Sequence, residues 1–104
     1  MNRAKVFKFV ILCGYLDEII KGKEYRFHYL ELYRGEPVSL NMPLEKKEYI
    51  FNEFPPFFDG LLPEGFMLEA LCRRMKVDKD DSFRQLLIVG GDAVGSVTVE
   101  PENA

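Results

Sequence analysis

The chain has 104 residues, 47% of them hydrophobic and 30% charged, with a formal net charge of −3 and a pI near 5.2. This composition supports one packed domain over residues 1–104 and excludes an intrinsically disordered polymer. The acidic balance argues against a surface that grips a nucleic-acid backbone directly, and no apolar run approaches the ~20 residues of a membrane span.

Cys13 and Cys72 are the only cysteines, and there is no Cys-x-x-Cys spacing. They read as small buried or half-buried thiols in a reducing compartment. The basic start Met1-Asn2-Arg3-Ala4-Lys5 precedes an apolar run, Phe9 to Cys13, that is too short for a signal peptide with a clean cleavage site. A soluble cytoplasmic protein is the expectation.

Taken in chain order, residues 5–14 are rich in β-branched and aromatic side chains, which predicts a strand ended by Gly14. Residues 16–23 read as a turn region broken by Gly22. Residues 24–33 alternate, with Tyr25, Phe27 and Tyr29 on one face and Arg26 and His28 on the other, which predicts a second strand. A turn at Arg34-Gly35-Glu36-Pro37 leads to a short strand over 38–40, closed by Pro43. Residues 45–53 read as a polar linker.

The period then changes. Pro55 and Pro56 suit a helical first turn, so 57–62 is a short helix, broken by Pro63-Glu64-Gly65. Residues 66–75 form the clearest helix of the chain. Ser82 and Gln85 have the spacing of a capping box at the start of another helix, which Gly90-Gly91 ends. Residues 93–100 read as a final strand. The expected fold class is α+β: a small, mostly antiparallel sheet with about three short helices packed on one side.

At about 100° per residue, Met67, Leu68, Leu71, Cys72 and Met75 fall within a sector about 140° wide, the expected core stripe of the 66–75 helix. Phe66 lies opposite it, beside Arg73. Two readings stay open for that ring. It folds back as a staple on Leu62 or Tyr49, or it is an exposed aromatic anchor for a partner, presented on a stiff Pro-Glu-Gly base. Phe57, Phe58, Leu61 and Leu62 read as core.

Catalytic chemistry is not evident. His28 is the only histidine and reads as satisfied or solvent-facing. Asp78, Asp80 and Asp81 lack the glycine and terminal glutamate of a calcium loop. The glycines from Gly90 to Gly95 follow a helix instead of preceding one, and no Lys-Ser/Thr accompanies them. The expectation is no enzyme, no metal and no cofactor.

Three ordered segments carry a resemblance: Pro37 to Leu44, Phe57 to Glu64, and Gly90 to Val99. Together they resemble the N-terminal subdomain of HipA-family kinases and span about two thirds of the chain, while residues before Lys23 match poorly. HipA proteins continue into a kinase core, whereas this chain stops at Ala104. A free-standing copy of the subdomain is similar to the HipS family of tripartite HipBST toxin–antitoxin modules. An excised piece of a longer HipA is the lesser expectation, given the ordinary start and the polar end.

The resemblance implies an antitoxin that binds and restrains a separate HipT-like serine/threonine kinase, with a HipB-like DNA-binding protein as a further partner. Some HipS proteins place a tryptophan after Pro-Glu-Gly, reaching toward the kinase active site, and Phe66 holds that position here. The implied partner-binding residues are Glu64, Gly65, Phe66, Met67, Glu69 and Arg73. The rival expectation is a lobe that stabilises the kinase, or bridges it to the DNA-binding protein, without inhibiting it.

Overall fold

A computed structural model describes residues 2–93 and 95–102. Two hairpins begin the chain: β1 (Asn2–Lys8) leads to β2 (Ile11–Ile20), and β2 to β3 (Glu24–Tyr29). A long loop then places β4 (Glu48–Phe51) beside β3. Three helices follow, α1 (Pro56–Asp59), α2 (Gly65–Met75) and α3 (Ser82–Val89), then a 3-10 turn over Gly90–Asp92 and β5 (Val97–Pro101). The antiparallel sheet has the order β4-β3-β2-β1-β5. The helical segment therefore carries the chain from one sheet edge to the other, across a single face. The α+β class, with three short helices on one side of the sheet, is as expected.

Several boundaries differ from the sequence reading. The strand expected over 5–14 is two strands joined at Phe9 and Val10, whose φ values are +49° and +62°. A two-residue hairpin needs this left-handed pair, usually supplied by Asn-Gly, and neither residue announces it. Gly14 does not end a strand. It lies inside β2 opposite Tyr29, where an added Cβ would collide with the His28 carbonyl oxygen. It is a point of close approach between two strands.

The expected turn over 16–23 shrinks to residues 21–23, and β3 ends at Tyr29. No strand forms over 38–40. There the Val38 N–H donates to the Tyr29 hydroxyl (3.0 Å), which in turn donates to the Met42 carbonyl (2.5 Å), so a side chain substitutes for a strand partner. The presumed linker contains β4, because Tyr49 and Phe51 lie opposite Phe27 and Tyr25 on the core face. The first helix is Pro56–Asp59, shorter than the expected 57–62. The last strand begins at Val97, and Val94, part of the expected strand, lies outside the described residues.

The capping box is also replaced. Asp81 caps α3, its carboxylate accepting the Arg84 N–H at 3.3 Å, while the buried Gln85 amide donates to the Asp78 and Lys79 carbonyls. Gln85 thus ties down the turn before its own helix.

The core lies between the sheet and the helices. Ala4, Val6, Leu16, Phe27 and Val99 from the sheet meet Phe58 of α1 and Phe83 and Leu86 of α3. Phe27 and Phe58 pack with ring centroids 5.7 Å apart. Cys13 is buried at the bulge between β1 and β2, its thiol donating to the Val6 carbonyl, and burial pushes it up to about 12. Cys72 is buried as well, so both thiols are placed as expected.

The opposite face of the sheet carries an ion cluster. Cross-strand register aligns Arg3, Asp17 and Arg26 in one row, with Tyr15 and His28 in the next. The Asp17 carboxylate is fully buried, 2.6 Å from both Arg3 Nε and Arg26 Nη2. His28 Nε2 lies 3.4 Å from Asp17 Oδ2, within ion-pair range, but it is buried and makes no hydrogen bond among the described residues. The His28 side chain is thus half-buried, its ring partly solvent-facing as expected but its Nε2 buried and unsatisfied. Burial raises the Asp17 carboxyl, but hydrogen bonds and charge from Arg3 and Arg26 outweigh it and hold it below the ordinary carboxylate value. Burial pushes the His28 imidazole down. Asp17 opposes this, Arg26 and Arg3 add to it, and the result lies below the ordinary value.

Both groups bind protons more weakly folded than unfolded, so each contributes stability at higher pH that is lost on acidification. Stability should fall below about pH 6.5 through His28, then again below about pH 4 through Asp17. Asp17→Asn should remove the lower stage and cost about 3 kcal/mol at pH 7, because it leaves two arginines facing each other. Chemical denaturation across pH measures both effects. An Asp17→Asn protein as stable as the parent at pH 7 would contradict this account of the cluster.

Candidate functional site

The junction between α1 and α2 presents the expected site. The Leu61 and Leu62 N–H groups still close turns on Phe58 and Asp59, but Pro63 has no N–H to continue them. Glu64 is extended (φ −126°, ψ 163°) and Gly65 is left-handed (φ +55°), which re-aims the chain into α2. A Cβ on Gly65 would meet nothing within 4 Å, so glycine is required there for its conformation and not for space. The Glu64 carboxylate does not cap the helix it precedes.

Phe66 is 77% exposed and Met67 68% exposed. The staple on Leu62 or Tyr49 is therefore not formed. Phe66, Met67, Glu69 and Arg73, with Ala70, line a shallow depression of about 260 Å³. Glu64 and Gly65 sit at its head, both exposed. Glu69 pairs with Lys79 at 3.0 Å, and that hydrogen bond holds its carboxyl below the ordinary value. Arg73 makes no ion pair among the described residues. The six expected residues thus form one continuous exposed strip along α2.

The expected core stripe of α2 requires correction. Only Cys72 is buried, at 8% exposure, while Leu68 and Leu71 are half-buried and Met75 is 46% exposed. A helical wheel identifies the apolar face but not what lies beneath it. Phe58, Phe83 and Leu86 already fill the space over the sheet, so α2 rides outside that layer. Its apolar stripe instead walls a groove of about 670 Å³, with Met67, Leu71 and Met75 on one side and Leu61, Leu62 and Ile88 on the other. This groove was missed by sequence reasoning. The only signal was the pair of methionines on the stripe, and that pattern is equally consistent with a core.

Phe58 is fully buried, and Phe57, Leu61 and Leu62 pack partly buried against the core, in keeping with their expected scaffold role. Among the described residues, no group of three or more His, Cys, Asp or Glu side chains is placed to hold a metal ion. Among them, too, no helix is long and apolar enough to cross a membrane.

Comparisons with known proteins converge on one family. The model of the HipA N-terminal domain matches residues 5–100. An uncharacterized protein of Haemophilus influenzae is 33% identical over 102 residues, covering 98% of this chain and 94% of that protein. Two Sinorhizobium fredii proteins whose names propose a kinase also match: Y4mE at 31% over 67 residues and Y4dM at 45% over 47. These cover 64% and 45% of this chain but only 16% and 12% of those much longer proteins. A solved N-terminal domain of HipA toxin superposes with a TM-score of 0.76 at 29% identity, over 98% of this chain and 93% of that one.

The placement of Phe66 predicts a separation of stability from surface function. Phe66→Ala should change stability by less than about 0.5 kcal/mol, whereas Phe58→Ala should cost about 3–5 kcal/mol. Thermal unfolding of the two variants measures this. A large loss with Phe66→Ala would place that ring in the fold.

Proposed function

Because the chain belongs to the HipA N-terminal domain family, we propose that it is a cytoplasmic antitoxin that binds and restrains a separate HipT-like serine/threonine kinase. Docking occurs through the start of α2, with Phe66 entering the kinase's active-site cleft and obstructing ATP or substrate. Glu64, Gly65, Met67, Glu69 and Arg73 surround it. The chain itself contributes binding and not catalysis, and it contacts no nucleic acid directly. A HipB-like DNA-binding protein is a further partner of the complex.

The observation that carries this reading is the exposed Phe66 on a stiff turn. A large aromatic at 77% exposure does little for the fold and is the usual anchor of a protein interface. Further support comes from the lengths of the relatives. The domain makes up 94% of the Haemophilus influenzae protein but only a small fraction of the two kinase-named proteins. A unit found both ways is suited to act on a kinase supplied by another chain.

The size of the exposed apolar surface favours a second reading as well. A stable interface needs roughly 800 Å² per partner, more than one ring can supply. The α2 groove could hold a kinase as a supporting lobe and leave its active site open.

A kinase assay with the cognate HipT-like protein separates the two. On the antitoxin reading, the parent chain suppresses phosphorylation, and Phe66→Ala weakens inhibition by about 30-fold, the effect of losing a hot spot of about 2 kcal/mol. Co-purification with full kinase activity would instead establish the supporting lobe. Undiminished inhibition by Phe66→Ala would remove Phe66 from the mechanism.

A further inference from the structure

Phe66 occupies one flank of α2, and the apolar groove lies along the other. Met67 and Ala70 border both depressions, so the surfaces are continuous around the helix. We propose that the groove between α2 and α3 seats an amphipathic helix of a partner protein whose apolar stripe is flanked by carboxylates. This deepens the proposed function, because it rests on the reading that α2 faces a protein partner and specifies the chemistry of that contact.

The shape of the groove favours a helix. Its walls are α2, the end of α3 and the turns beside them, none of which is a strand, so it offers no free strand edge for an extended peptide. Met67, Leu71 and Met75 stand at i, i+4 and i+8, a span of about 12 Å along the axis. The anchors of an amphipathic helix at i, i+4 and i+7 span about 10.5 Å, which is a close match. Methionine side chains adapt their shape to such an occupant at small cost.

Charge specifies the flank. Arg74 is the cation that lines the groove, on the α2 rim. It is exposed and makes no ion pair among the described residues. Asp92 is the acidic side chain on the opposite rim. Carboxylates along that side of the partner's apolar stripe would answer Arg74. A second copy of this chain fits less well, because it would bring its own Arg74 to the same rim.

The test uses the full chain and two labelled helical peptides about three turns long. They share one leucine stripe, and glutamate flanks it in one and lysine in the other. The acidic peptide should bind at least tenfold more tightly, perturb the Met67 and Met75 methyl resonances, and lose that preference with Arg74→Glu. Arg74 is exposed, so the variant should keep the parent's melting temperature. Equal binding of the two peptides, binding that leaves those methyls unmoved, or no binding of either would overturn the proposal. Concentration-dependent shifts at the same methyls without peptide would overturn it in favour of self-association. None of these readings needs the kinase, so failure of the groove and failure of the antitoxin reading are distinguishable.

Discussion

The helical layer is held to the sheet through two contacts that leave out the helix between them. Phe58 of α1 packs against Phe27 with tilted rings, and Phe83 and Leu86 of α3 enter the same buried cluster. These side chains occupy the space over β1, β2 and β3. α2 is strung between α1 and α3, and its one buried residue, Cys72, lies outside that cluster. Its exposure follows from this crowding. A second row of residues cannot reach the sheet once the first row is packed.

That arrangement makes α2 an unusual element energetically. A helix of 11 residues is marginal in isolation and normally depends on burial of its apolar face. Here the face is open, and stability comes from its ends. Lys76 adopts a left-handed conformation while its N–H and that of Val77 close on the Cys72 carbonyl, and buried Val77 pins the exit. At the entry, Pro63 and Gly65 impose the direction. The helix is thus well oriented but lightly packed, which suits an element completed by a partner. Its two flanks, the Phe66 depression and the methionine groove, would then belong to one interface.

Much of the domain was legible from local pattern. The period-2 alternation of Tyr25, Phe27 and Tyr29 located β3 and its core face, and the Pro-Glu-Gly break placed α2 correctly to within one residue. The wheel placed Phe66 off the apolar stripe but left the staple and the exposed ring equally open. The failures share a cause: each depended on contacts distant in sequence. The Phe9–Val10 turn carries no glycine, so only the pairing of β1 with β2 reveals it. Residues 38–40 look like a strand until the Tyr29 hydroxyl is seen holding them in a loop. Asp17 and Arg26 are nine residues apart in sequence and Arg3 lies further off, so their cluster appears only when the strands are in register. The open stripe of α2 was hidden for the same reason, since amphipathicity does not reveal what covers a face.

Hydrogen–deuterium exchange on the full chain, alone and with the proposed kinase partner, addresses the uncovered state of α2 most directly. In the free chain the amides of α2 should exchange at least tenfold faster than those of α3 and the central strands, because local opening exposes little buried surface. Binding should then slow exchange across α2 on both the Phe66 and the methionine sides. If α2 is already as protected as α3 in the free chain, or stays unchanged in the complex, then it is neither loosely held nor partner-facing, and the account fails.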